Sequence, residues 1–169
     1  VHVKRAVVVV LGITAALLLA GVATAGPPKP LTATVTASTI QPGFMYIAGD
    51  NLITRNRVYV GSVSDIDSDG LGETILIIED SVCKLPCSLA GLEGRNQGSM
   101  VVYLSGGKVV EGRFEGQLKD GGSLSGSWEI TRVAGPDFLL IHGHGSGTYT
   151  GSITGTGTFT LTLTGSADL

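Results

Sequence analysis

Residues 112–130 read GRFEGQLKDGGSLSGSWEI, and the phase of the glycines in this stretch decides the fold. Every second residue from Val110 gives Val110, Gly112, Phe114, Gly116 and Leu118. Beyond the turn at KDGGS the same rule gives Leu124, Gly126, Trp128 and Ile130. The intervening positions carry Arg113, Glu115, Gln117, Ser125, Ser127 and Glu129, which belong in water. Strict alternation of apolar and polar residues is the signature of a strand with one buried face. Glycine weakens a flat strand, so its place on the buried face needs a cause. Strong bending is one, and alternating small and large interior residues suit a small closed barrel.

The same period extends in both directions. TYTGSI places Tyr149, Gly151 and Ile153 in one phase, and LTATVTAST alternates threonine with Leu31, Ala33 and Val35. Further strands are predicted in RVYVGSV, TILIIE, SMVVYL, DFLLIHG and GTFTLTLTG. Only SLAGLEG, residues 88–94, suggests a turn of helix after the N-terminal segment. The fold class predicted is all-β, a small antiparallel β-barrel of about eight to ten strands.

The 169-residue chain is long enough for one cored domain, assigned to residues 31–169. Residues 1–25 have the layout of a secretory signal peptide: a basic start with Lys4 and Arg5, an apolar run, and small residues ending at Ala25. The alternative is an N-terminal apolar helix over residues 6–25 that stays as a membrane anchor. Residues 26–30, GPPKP, form a stiff proline-rich spacer. The expected localisation is secreted or extracytoplasmic, with membrane contact only if that segment is retained. Without Lys4 and Arg5 the 11 basic residues fall to nine against 14 acids, a net charge of −5. No basic cluster exists, which argues against nucleic acid as a partner.

Residues 99–165 resemble the back half of allene-oxide-cyclase-like and dirigent-like small β-barrels in their repeated G-x-G and T-x-T texture. That resemblance implies an eight-stranded, lipocalin-shaped barrel. No catalytic residue of those families maps onto a position here. The inward Phe114, Trp128, Tyr149 and Phe159, with His142 and His144, are candidates to line or fill a ligand cavity. The two histidines, two residues apart on one strand face, would otherwise be ordinary barrel-end residues.

Between two predicted strands lies DIDSDGLGE, residues 65–73. It is similar to the D-x-D-x-D-G-x-x-[DE] calcium loop of integrin-type repeats. Calcium takes six to eight hard oxygen ligands, and Asp65, Asp67, Asp69, the Leu71 carbonyl and Glu73 supply such a set. The twelfth position of an EF-hand is Leu76 here, so the loop is not an EF-hand. The competing reading is an acidic, solvated hairpin tip.

Cys83 and Cys87, in CKLPC, are expected to close a small disulfide ring outside the cytoplasm, adding ~2 kcal/mol at most. Thr158, Thr160, Thr162 and Thr164 share a face, read as β-propensity on a solvated surface. A flat surface able to match ice or sugars would need similar residues on several neighbouring strands.

The function expected is that of an exported, non-enzymatic barrel that binds a small apolar ligand or a surface partner, with one calcium-stabilised loop. A barrel cyclase or isomerase using a pocket histidine is one alternative. Such an enzyme would set His142 or His144 beside an acid such as Glu111, Glu115 or Glu129. A structural module of the cell envelope is the other alternative. No nucleophile elbow, zinc-protease motif or phosphate loop is present in the sequence.

Overall fold

A computed structural model describes residues 27–64, 73–86, 93–137, 139–154 and 157–169. Ten strands follow one another: β1 Lys29–Gln41, β2 Phe44–Ala48, β3 Asn51–Ser64, β4 Glu73–Lys84, β5 Gly94–Tyr103, β6 Val109–Lys119, β7 Ser123–Ala134, β8 Leu140–Ile141, β9 His144–Ile153 and β10 Thr158–Asp168. All pair antiparallel in the order β1-β10-β9-β7-β6-β5-β4-β3-β2, and β1 also pairs β3. Eight strands therefore close an up-and-down barrel, with β2 and the short β8 outside the ring. Closure removes the free edges that an open sheet of this size would carry.

The glycine phase is as the sequence predicts. Val110, Phe114, Leu118, Leu124, Trp128 and Tyr149 are buried, and the polar residues between them are exposed or half-buried. Several inward glycines leave room for a bulky group from a neighbouring strand. A Cβ at Gly98 would meet the Phe114 ring at 2.7 Å, and one at Gly126 the Tyr149 ring at 2.7 Å. A Cβ at Gly165 would meet the Trp128 ring at 2.9 Å. The aromatic rings occupy the space that glycine vacates, which lets so narrow a barrel reach close packing. The β6–β7 turn requires glycine for a different reason: Gly121 and Gly122 adopt φ of 74° and 80°.

Three irregularities interrupt the wall; the one in β1 falls between Thr39 and Gln41 against β3. In β3 the register slips between Thr54 and Arg57, with Asn56 at φ 54° opposite Asp80 of β4. In β7 Thr131 is unpaired between Ile130 and Arg132. The last two are β-bulges, which increase local twist. The interior is predominantly apolar, and the exterior carries threonine, serine and charged residues together with a few apolar ones such as Val60, Ile78 and Tyr103. A lipid-facing barrel has the reverse arrangement.

β2 was not predicted; its five residues FMYIA look like a strand only once β3 pairs with them. DFLLIHG yields only two strand residues, because β8 pairs β7 at just Val133 and Ala134. The expected N-terminal apolar helix, and all but the end of the helical turn at 88–94, lie outside the described residues; Gly94 opens β5.

Candidate functional site

The barrel interior is filled. Tyr59 and Phe159 stack with ring centroids 5.1 Å apart, and Phe114 meets Tyr149 edge-on at 6.0 Å. The Trp128 indole N–H donates to the Thr148 carbonyl at 3.1 Å. Phe114, Trp128, Tyr149 and Phe159 belong to the packed core, and Phe114 and Trp128 also line a groove on the outside of the wall.

Toward the end where β4 leaves the barrel, this core turns polar. Glu79 continues the inward phase of Ile75 and Ile77 and is only 3% exposed. The Tyr59 hydroxyl donates to Glu79 Oε2 at 2.7 Å. Arg57 reaches the Tyr59 hydroxyl at 3.4 Å, the Thr54 hydroxyl at 3.5 Å and the Pro42 carbonyl at 3.5 Å. Asn96, 1% exposed, accepts from the Tyr149 hydroxyl at 3.0 Å. Its Nδ2 lies near enough to lower the Glu79 pKa but outside hydrogen-bond geometry, and has no partner among the described residues. Burial pushes the Glu79 carboxyl above its ordinary value, and Tyr59, Arg57 and Asn96 only partly oppose this. Burial likewise raises Tyr59, with the Glu79 charge adding to it, and pushes Tyr149 up to about 12.

A recess with room for a ligand lies on the outside. An open groove of about 900 Å³ crosses β4, β5, β6, β7 and β9. Two rows of outward side chains run across the strands to make it. One row is Ile78, Ser99, Arg113, Glu129 and Ser146, each opposite the next. The other is Asp80, Gln97, Glu115, Ser127 and Thr148. Arg113 is ion-paired with Glu129. Asp80 bonds Arg55 at 2.7 Å and the Asn56 amide at 2.9 Å. Partial burial raises the Asp80 pKa, but the Asn56 N–H and the Arg55 guanidinium outweigh it and hold the carboxyl below its ordinary value. The groove therefore has three acids and one arginine among its lining residues.

The second row does not stop at the groove. Thr148 faces Thr164, and Thr164 faces Thr32. Beside it run Ser64, Thr34, Thr162, Thr150 and Ser125, and then Ser62, Thr36, Thr160, Ser152 and Ser123. The threonine ladder of β10 is thus part of a hydroxyl face spread over several strands. Curvature of the closed ring keeps that face from being flat.

The other predicted residues are scattered. Asp65, Asp67, Asp69 and Leu71 lie outside the described residues. Glu73 is buried, and its Oε1 accepts the Ser105 amide at 2.9 Å, so it already braces the β5–β6 turn. Cys83 is buried at the end of β4, and Cys87 lies outside the described residues. His142 and His144 are exposed, away from the interior set. Glu111, Glu115 and Glu129 lie on the outward phase too, so among the described residues no histidine–carboxylate pair forms inside the barrel.

Sequence reasoning missed Glu79 and Asn96. The signal was present for Glu79: in TILIIE it falls two residues after Ile77, on the apolar phase. The groove had no such signal, because its rows join residues from five strands. Comparison with known proteins finds no matching family model, no matching curated protein and no matching solved structure.

Proposed function

We propose that this is an exported, non-enzymatic binding module whose ligand is neutral and rich in hydroxyl groups, of the saccharide type, held in the exterior groove. The observation that carries the reading is the pair of side-chain rows, which combine carboxylates, one amide, one guanidinium and serine or threonine hydroxyls across five strands. Such a set donates to and accepts from ligand hydroxyls at once. Three acids against one arginine disfavour phosphate, sulfate and nucleic acid. The neighbouring hydroxyl face extends the same chemistry.

An array of neutral and anionic oligosaccharides, probed with the purified protein, tests this. Neutral glycans are expected to bind, and Arg113→Ala or Glu115→Ala should weaken binding ~5–150-fold, the cost of about 1–3 kcal/mol for one lost polar contact. No neutral ligand, a preference for anions, or binding indifferent to both substitutions would overturn the reading.

The calcium loop belongs to the same proposal, with Asp65, Asp67, Asp69 and the Leu71 carbonyl as ligands and Glu73 shared with the β5–β6 turn. Saturating calcium should raise the melting midpoint and chelator reverse it, since a bound ion at about 100 times Kd stabilises by ~2.7 kcal/mol. An unmoved midpoint returns the loop to a solvated tip.

The cyclase or isomerase alternative draws support from Glu79, a buried acid with a raised pKa beside Tyr59. An apolar ligand screen in the same melt separates the two. A hit abolished by Glu79→Gln and untouched by Arg113→Ala would move the site inside the barrel.

A further inference from the structure

β1 and β2 lie end to end along β3, interrupted at Pro42 and Gly43. β1 pairs β10 only as far as Ser38, so β2 lies past the closed ring as the last strand of the sheet order, with one edge that has no strand partner among the described residues. Its side chains face water on both sides. Phe44 is 70% exposed, Met45 58%, Tyr46 48% and Ile47 66%. Unpaired edges are usually blunted by charge, proline or a bulge. From Phe44 to Ala48 none of these is present, and Pro42 sits at the kink before the strand.

We infer that β2 is the contact through which two copies of this chain associate, edge to edge and antiparallel about a two-fold axis at Tyr46. In that register Phe44 lies opposite Ala48 of the second copy, and Met45 opposite Ile47. Large then meets small on one face, and two flexible or branched aliphatic side chains meet on the other, which is favourable cross-strand pairing. Residues 40–49 contain no charge, so an identical copy paired along this strand brings no like-charge repulsion from it. With large side chains presenting up to about 200 Å² each, the four offer on the order of 500 Å² per copy. Complete coverage of these side chains in a pair would bury at most about 1,000 Å², the lower bound for a specific interface, so a weak, concentration-dependent dimer is expected. Strand addition at a sheet edge supplies main-chain hydrogen bonds as well.

Sedimentation equilibrium of the purified protein, from dilute to the highest soluble concentration, tests this with two variants. Met45→Lys with Ile47→Lys sets like charges opposite one another in this register and should leave only monomer. Met45→Lys with Ile47→Glu sets opposite charges together and should keep the dimer, weakened by added salt. All four side chains of the arm are largely exposed, so both variants should melt as the native protein does in its monomeric range. A native protein that stays monomeric throughout overturns the inference. So does a dimer that survives the like-charge variant, or an arm that binds lipid vesicles as a monomer.

Discussion

Gly126→Ala adds one methyl group at the most crowded point of the wall. Gly126 lies opposite Gly116 on one side and Tyr149 on the other. The new Cβ would stand 2.7 Å from Tyr149 Cε1, 2.1 Å from the Glu115 carbonyl oxygen and 2.6 Å from the Gly116 Cα. Carbon atoms pack best at ~3.5–4.0 Å, so the overlap is about 1 Å. Two of the three obstacles are backbone and cannot rotate away. The third is a fully buried ring tethered to Asn96 and packed against Phe114. Overpacking of this kind costs ~1–3 kcal/mol, here at the upper end. Alanine returns ~0.4–1 kcal/mol by restricting the unfolded chain. The net loss is about 2 kcal/mol, a fall of ~4–8 °C in Tm for a domain of this size. Gly135→Ala is the control, since its Cβ would meet nothing closer than 3.7 Å and its φ is not left-handed. It should be neutral or stabilising by up to ~1 kcal/mol. Urea unfolding followed by the fluorescence of Trp128, the single tryptophan, reads both, with an unchanged m-value expected. A Gly126→Ala midpoint equal to that of the native protein or of Gly135→Ala would refute the claim that rings occupy the glycine spaces.

Two further outcomes follow from the polar end of the core. Tyr149→Phe removes the donor to Asn96 Oδ1 and leaves a buried amide with no side-chain partner, which should cost about 1–3 kcal/mol in the same urea assay; an unchanged midpoint would show the bond to be idle. For Glu79 the folded pKa is raised above its unfolded value near 4.5, so the folded state binds the proton more tightly. The stability this contributes is fully present below that unfolded value and is lost as pH rises through the folded pKa. Glu79→Gln should therefore gain on the native protein between acidic and mildly alkaline pH, and parallel pH profiles of the two urea midpoints would contradict a buried, proton-retaining carboxyl.

Much of the barrel was legible in the chain because its information is local. A period of two sorts each strand into faces without knowledge of its neighbours, so Val110, Phe114, Trp128 and Tyr149 could be placed inside from order alone. Glycine on that inward phase carried the further message of curvature. β2 escaped because FMYIA is apolar on both faces and shows no alternation; its state depends on pairing with β3. The ligand cavity was expected inside because inward aromatics can either line or fill a barrel, and only volume distinguishes the two.

Composition and periodicity by themselves determined the all-β class, the inward set of aromatics and glycines, and the polar exterior, since each follows from which side of one strand a residue occupies. Tertiary structure decided which strands are neighbours, and hence that Arg113 meets Glu129, that Glu79 meets Tyr59, and that the threonines of β1, β9 and β10 share one face. Register between strands is set by closure of the whole ring and by the bulges at Asn56 and Thr131, and no single segment encodes it.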